Sequence, residues 1–142
     1  MREILFRAKD NGVLNGVWQY GSLDISNPDA PTIIRIDRHN NKMFIPILIK
    51  TVGQYTGLTD KNGKKIFEGD IILFEDESPT NYEYHDCTEM RCGDVRFDDG
   101  EFYLTNRIAV EMGDLIYDGK LDGVIVGNIH DNPELLKSEG ER

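Results

Sequence analysis

The sequence is broken into short apolar runs by turn-forming residues, and this spacing restricts the possible folds more than any other feature. Runs rich in Ile, Val, Phe and Tyr recur about every 8 to 12 residues, with Gly, Asn, Asp or Pro between them. A helix of ordinary length needs about ten residues or more without such breaks. The spacing therefore predicts a mainly β fold of many short strands, as in small barrels and sandwiches.

The predicted strands alternate with loops from the amino terminus to residue 129. Residues 22–31, which are rich in Asp, Asn, Ser and Pro, are expected to form a surface loop. Residues 105–117 fit both an alternating and a helical pattern, and we expect extended structure there. A single helical turn is expected after Asn132, with Pro133 at its first position. The segments predicted as strands are 4–9, 16–21, 32–36, 43–52, 54–58, 66–67, 71–74, 93–97, 101–104 and 124–129.

The stretch from residue 54 to residue 74, QYTGLTDKNGKKIFEGDIILF, places two turns before an apolar strand. Asn62 and Gly63 both tolerate positive φ, so the pair predicts a hairpin with a type I′ turn. A phosphate-binding loop would need GxxxxGKS or GxxxxGKT at the start of a helix, whereas these glycines flank strands. The nearby lysines are therefore expected to lie in solvent at the hairpin tip. The apolar run 71–74 is typical of a strand packed on both faces or at a barrel seam.

The charge is unevenly distributed along a chain whose formal net charge is −10. Residues 1–52 contain seven Lys and Arg and five Asp and Glu, so 7 − 5 = +2, whereas residues 53–142 contain nine and 21, so 9 − 21 = −12. An acidic surface repels nucleic-acid phosphates, which argues against general nucleic-acid binding. The acidic excess is explained either by solubility or by an acidic patch that meets a basic partner, for example by imitating nucleic acid.

No catalytic or metal-binding pattern stands out. Cys87 and Cys92 lie with His85 in HDCTEMRC, but zinc usually needs a fourth ligand and a second paired cluster, so we expect thiols, no metal and no cofactor. Asp70, Glu101 and His130 are candidates for a general acid or base, but no spacing selects any of them. We therefore predict that the protein is not an enzyme. The chain also has no apolar stretch of about 20 residues and no apolar signal core, so we expect no membrane association and a cytoplasmic location.

Four motifs occur in order along nearly the whole chain, from Met1 to Leu136: MREILFRA, VGQYTGLTDKNGKKIFEGDII, GDVRFDDGEFYL and VIVGNIHDNPELL. On these motifs the chain resembles the YopX-like proteins of phages and prophages. The resemblance implies a small SH3-like β-barrel in the C-terminal two-thirds and an N-terminal β-rich extension. The expected limits are 1–53 for the extension, 54–136 for the barrel with an acidic insert at 75–90, and 137–142 for a frayed tail. The resemblance supplies no catalytic residue.

The function expected from these observations is that of a phage or prophage accessory protein that binds a host or phage protein in the bacterial cytoplasm. Tyr82 and Tyr84 in the acidic insert are candidate anchors of such an interface, because tyrosine is enriched at binding hot spots; the other interpretation is that they fold back over the barrel. The alternative function is nucleic-acid binding by an SH3-like barrel. Its contact group would be the hairpin 60–65, with Lys61, Lys64 and Lys65 beside Tyr55.

Self-association is compatible with either function. A small β domain has strand edges to protect, and a homo-oligomer is one way to cover them. The apolar segment 43–49 is the candidate contact, because Pro46 restricts it to an edge strand or a bulge. Bulges or charges would protect the edges in a monomer.

Overall fold

The computed structural model of the chain describes residues 3–76, 89–106 and 108–136. The chain divides into two compact units, Met1–Gly57 and Leu58–Arg142. Antiparallel strands and short 3₁₀ helices build the described parts of both units, so the prediction of a mainly β fold is confirmed. Within these ranges no helix is long and apolar enough to cross a membrane. The predicted tail at 137–142, and all but the ends of the predicted acidic insert, lie outside the described residues.

The first unit contains five strands of a six-stranded sheet, in the order β4-β3-β2-β1-β5, and the pairings among these five are antiparallel. Alternate side chains of these strands point to one face, where Ala8, Ile33 and Ile47 are buried together. A 3₁₀ helix, Ile49–Thr51, joins β4 to β5. The strands are β1 (Phe6–Lys9), β2 (Trp18–Asp24), β3 (Thr32–Ile36), β4 (Lys42–Pro46) and β5 (Gly53–Thr59), the last of which continues two residues into the second unit.

The ends of β1 and β4 meet. Asp10 and Ile47 form an isolated antiparallel bridge, and the amide of Asn11 donates to the carbonyl of Pro46 at 2.8 Å. The sheet of the first unit therefore curls far enough to bring these ends together. Pro46 is the last residue of β4, and β4 is the first strand in the order, so the prediction that Pro46 restricts its segment to a strand edge is confirmed.

The second unit contains a five-stranded antiparallel sheet in the order β10-β9-β8-β7-β13 and a two-stranded ribbon of β11 and β12. The SH3-like barrel expected from the resemblance is not closed by any pairing in the described part of the chain, where β10 and β13 remain the sheet edges. Two 3₁₀ helices, Met112–Leu115 and Pro133–Leu136, complete the unit. Its strands are β6 (Lys65–Phe67), β7 (Asp70–Asp76), β8 (Glu89–Asp98), β9 (Glu101–Asn106), β10 (Ile108–Glu111), β11 (Ile116–Tyr117), β12 (Lys120–Leu121) and β13 (Gly123–Asn128).

The core of the second unit forms around β7, which lies between β8 and β13. Ile71 and Ile72 are both fully buried, and because successive side chains point to opposite faces, β7 is covered on both faces. This confirms the interpretation of the apolar run 71–74 as a strand packed on both sides. The buried cluster of this unit consists of Ile66, Ile72, Phe74, Val95, Leu104, Met112 and Leu121.

The hairpin turns show where the sequence-based assignment was wrong. At Asn62-Gly63 only the glycine has positive φ, +83°, so the predicted type I′ turn is wrong. The amide of Gly63 donates to the carbonyl of Asp60 at 2.9 Å, which gives a three-residue loop built on a type I turn with glycine in the left-handed region. Two Asp-Gly pairs have positive φ at both residues, as a type I′ turn requires: Asp99-Gly100 and Asp118-Gly119.

Three other segments refine the predicted boundaries. The strand β2 continues to Asp24, so the loop expected at 22–31 begins three residues later than predicted. The predicted strand 43–52 ends at Pro46, because the amide of Thr51 donates to the carbonyl of Leu48 at 2.9 Å and closes a 3₁₀ turn, which the Thr51 hydroxyl reinforces by donating to the same carbonyl at 2.6 Å. The described residues between 105 and 117 are mainly extended as expected, with one 3₁₀ turn at Met112–Leu115. The single helical turn expected after Asn132 is present as the 3₁₀ helix Pro133–Leu136.

We expect Leu104→Ala to lower the free energy of unfolding by about 3 kcal/mol, because it removes a fully buried side chain from the core of the second unit and leaves a cavity. The measurement is urea denaturation followed by far-ultraviolet circular dichroism. Val126→Ala on β13 is the matched control, since Val126 is exposed and its loss is expected to change stability by less than about 0.5 kcal/mol. Equal losses for the two variants would contradict the assignment of this core.

Candidate functional site

The loop between β5 and β6 carries three basic side chains at one place. Lys61 and Lys64 lie in the loop, and Lys65 is the first residue of β6. All three are exposed, as the sequence predicted for a hairpin tip. The structure therefore brings together the three lysines that were proposed as a contact group, and we call residues 60–65 the lysine hairpin.

The lysine hairpin is built around the buried carboxylate of Asp60. Oδ1 accepts the main-chain amides of Asn62 and Lys64, each at 2.9 Å, which sets the path of the loop. Oδ2 accepts the amide of Ile125 on β13 at 3.1 Å. One side chain thus organises the loop and attaches it to a strand 65 residues further along the sequence.

The main chain of the lysine hairpin adds to this attachment. The amide of Lys61 donates to the carbonyl of Gly123 at 3.0 Å, so the hairpin covers the outer side of β13. Sequence reasoning selected the lysines and missed Asp60. An Asp at the first position of an Asp-x-Asn-Gly turn is a signal for a side-chain turn within the loop, but nothing local predicts the bond to Ile125.

Tyr55 lies in the first unit and its side chain is only 7% exposed. Its main-chain amide donates to the carbonyl of Leu5 at 2.8 Å. A ring buried to this degree presents little area on which a base could stack. Tyr82 and Tyr84, the candidate anchors in the acidic insert, lie outside the described residues.

The side chains considered for acid–base chemistry are part of local structure. Oδ2 of Asp70, which is buried, accepts the amide of Phe67 at 2.8 Å and closes the turn before β7. Glu101 is exposed and accepts the hydroxyl of Tyr103 at 3.3 Å. His130 is half-buried in the turn after β13.

The remaining ligand and nucleophile candidates are the cysteines and His85. Burial raises the pKa of the Cys92 thiol above its usual value, and a raised pKa reduces the thiolate that nucleophilic chemistry needs. Cys87 and His85 lie outside the described residues. Among the residues that are described, no group of three or more His, Cys, Asp and Glu side chains is arranged to hold a metal ion.

The apolar segment proposed as a self-association contact has a mixed character. Ile45 and Ile47 point into the core of the first unit and are buried. Met43 is 41% exposed and Phe44 is 60% exposed. The exposed apolar side chains of this segment therefore lie within β4, at Met43 and Phe44, and beyond its end, at Leu48 and Ile49.

Comparison with known proteins gives a family and a structural neighbour. The family model described as YopX protein matches residues 5–137. Among solved structures, protein EF1440 from Enterococcus faecalis, known from a crystal structure, is similar with a TM-score of 0.55 and 24% sequence identity. The similarity covers 96% of this chain and 100% of that one, and at this identity it shows a shared fold. No curated protein matches the sequence.

We expect Asp60→Ala to lower the free energy of unfolding by about 3 kcal/mol, because three main-chain amides lose a charged acceptor. Denaturant titration measures the loss, and amide hydrogen exchange at Ile125 reports whether β13 has lost its cover. Asp122→Ala, which changes an exposed aspartate next to the same strand, is the control and is expected to be neutral. If Asp60→Ala were as stable as this control, Asp60 would not be the attachment that its contacts indicate.

Proposed function

The chain belongs to the YopX protein family, and from this we propose that it is a phage or prophage accessory protein that acts by binding another protein. The observation that carries the proposal is the apolar surface of the first unit. Side chains of eleven large apolar residues there are exposed, and Val13 reaches 98%. Single exposed apolar residues are ordinary, and only those that the strand register makes neighbours mark an interaction site. The eleven are Ile4, Val13, Leu14, Val17, Tyr20, Ile25, Ile36, Met43, Phe44, Leu48 and Ile49.

Some of these side chains are neighbours across strands. The register of β3 and β4 places Ile34 opposite Phe44 and Arg35 opposite Met43. Ile36 and Phe44 lie on the same face, because alternate residues of paired strands point the same way. An exposed apolar group with basic residues beside it is suited to a protein partner, and we place this partner among host or phage proteins of the bacterial cytoplasm.

The proposal includes the absence of catalysis. The buried carboxylates of the second unit have structural tasks: Asp60 and Asp70 accept main-chain amides, and Asp94 accepts Nε of Arg96 at 2.7 Å. A general acid or base instead needs an atom that can donate or accept a proton within reach of a substrate in a cleft. Of the sequence candidates, Asp70 accepts the amide of Phe67 and Glu101 accepts the hydroxyl of Tyr103, and these contacts support the proposal.

Nucleic-acid binding by the lysine hairpin is the second candidate, and one observation favours it. Lys61, Lys64 and Lys65 are exposed within five residues of the sequence, and Asp60 sets the path of the loop that carries Lys61 and Lys64. The balance of −12 over residues 53–142 opposes binding of a polyanion, and the buried ring of Tyr55 removes the proposed stacking partner. This candidate function assumes that the second unit is an SH3-like barrel.

Protein binding is tested by affinity capture from a bacterial host lysate with the tagged chain, with and without nuclease, read by mass spectrometry. We expect a stoichiometric protein that is retained after nuclease treatment, because the exposed surface of the first unit is apolar. A lysate treated with the same tag alone gives the background. Complete loss of captured proteins after nuclease would contradict protein binding and favour the lysine hairpin.

The second candidate makes a separate prediction about the lysine hairpin. If it bound nucleic acid, the variant with Lys61, Lys64 and Lys65 all changed to Gln would weaken binding of a labelled oligonucleotide and reduce the salt dependence by up to about three phosphate contacts. Because the protein is acidic, we expect no saturable binding of poly(dT) at about 150 mM salt to the unmodified chain. Tight binding that this variant abolishes would reverse the order of the two candidates.

A further inference from the structure

The outer side of β4 can be identified from two main-chain hydrogen bonds. Both main-chain groups of a residue in an antiparallel strand point to the same side, and successive residues alternate. The amide of Ile47 donates to the carbonyl of Pro31, on the β3 side, at 3.2 Å. The carbonyl of Pro46 accepts the amide of Asn11, on the opposite side. The even-numbered residues of β4 therefore direct their main-chain groups away from β3.

By this alternation the amide and carbonyl groups of Lys42 and Phe44 point outward as well. The segment that covers Pro46 does not continue along them, because the amide of Asp10 donates to the carbonyl of Val17 and closes a loop there. The side chain of Val13 in that loop is almost fully exposed. Residues 42–44 thus form an open edge of the sheet in the described part of the chain, with up to four main-chain groups presented.

The other unit shows what a covered edge looks like in this protein. On β13 the carbonyl of Gly123 and the amide of Ile125 are bound by Lys61 and Asp60. Soluble proteins usually protect strand edges in such ways, because an unpaired edge is a template for pairing with another chain. In contrast to β13, residues 42–44 have no such cover in the described part of the chain, where β4 carries Lys42 and Pro46 at its two ends.

The segment that contains the open edge is also basic. Residues 32–50 contain four Lys and Arg and one Asp, so 4 − 1 = +3 in a chain of net charge −10. Arg38, Lys42 and Lys50 are exposed. The acidic residue of this segment, Asp37, holds its own turn, because its Oδ1 accepts the amides of His39 and Asn41 at 2.8 and 2.9 Å. The local field therefore attracts negative charge.

The edge carries an apolar anchor between these charges. Phe44 lies on the same face as Ile34, the residue opposite it on β3, and the ring of Phe44 is mostly exposed. A strand added beside β4 would place one of its side chains next to this ring, and such cross-strand pairs are a source of specificity. The combination requires an occupant that is extended, acidic and partly apolar.

We propose that the open edge, residues 42–44, binds an extended acidic peptide segment of a partner protein by strand addition, with Phe44 as the apolar anchor. This inference rests on the proposed function and names the surface and the chemistry of the partner. A second copy of the chain fits less well, because it would bring two edges of charge +3 together. A nucleic acid would match the charge, but it has no alternating amide and carbonyl groups to pair with those of Lys42 and Phe44.

The probe for a direct test is the fluorescein-labelled peptide Glu-Glu-Thr-Val-Thr-Val-Glu-Glu, titrated with the full chain and followed by fluorescence anisotropy. We expect saturable binding and slower hydrogen exchange of the Phe44 amide in the complex. A peptide with the glutamates replaced by lysine is expected to bind at least tenfold more weakly. A peptide N-methylated at alternate residues loses its donors on one side and is expected not to bind.

Two variants of the protein separate the main-chain contribution from the charge. Phe44→Pro removes the outward amide and the ring at an edge position where proline is tolerated, and Phe44→Ala removes only the ring. We expect at least tenfold weaker binding for the former and a smaller loss for the latter. Lys42→Glu with Lys50→Glu should also weaken binding at least tenfold, while Lys61→Glu with Lys64→Glu is the matched charge control and should change it less than twofold.

Several results would overturn the inference. They are the absence of saturable binding up to millimolar peptide, equal binding of the N-methylated peptide, and unchanged binding by Phe44→Pro. If Phe44→Pro abolished a dimer observed in sedimentation, the edge would be assigned to a second copy of the chain. If it abolished binding of poly(dT), the edge would be assigned to nucleic acid. A lysate partner still captured by Phe44→Pro would contradict this inference alone, whereas failure to capture any protein with the unmodified chain contradicts the proposed function.

Discussion

The buried carboxylate of Asp60 is the interaction on which the arrangement of the second unit depends. It accepts two amides within its own loop and one from β13, so it defines the hairpin and the strand beside it together. A carboxylate removed from water is costly unless its oxygens are bound, and three amides satisfy this requirement. The exposed lysines of the lysine hairpin owe their positions to this anion beneath them.

The bonds from the lysine hairpin to β13 also distinguish the edge at β13 from the edge at β4. β13 is covered because the lysine hairpin binds its outward groups, whereas among the described residues β4 is covered at Pro46 and open at residues 42–44. Edge protection and partner binding thus follow from one property, the outward main-chain groups of a strand. The charge distribution distinguishes them further, since the open edge lies in the basic part of a strongly acidic chain.

Local chemistry predicted those parts of the fold that local chemistry controls. The strand Thr32–Ile36 was predicted with its limits, and the gap between the predicted strands 93–97 and 101–104 is a hairpin turn at Asp99-Gly100, because β-branched runs and Asp-Gly pairs restrict the main chain wherever they occur. The predicted strand 43–52 failed because the hydroxyl of Thr51 bonds to the carbonyl of Leu48 and to the amide of Lys9, 42 residues away. No pattern within that segment signals its distant partner.

The candidate site divides in the same way between sequence and structure. The sequence by itself determined the mainly β class, the membership of the family, the exposure of the three lysines and the edge position of Pro46, because each depends on residue type and near neighbours. Only the tertiary structure decided that Tyr55 is buried, that Asp60 binds β13 and that the main-chain groups of Lys42 and Phe44 point outward. These features depend on which segments meet in space, and pairing between distant strands is a property of the whole chain.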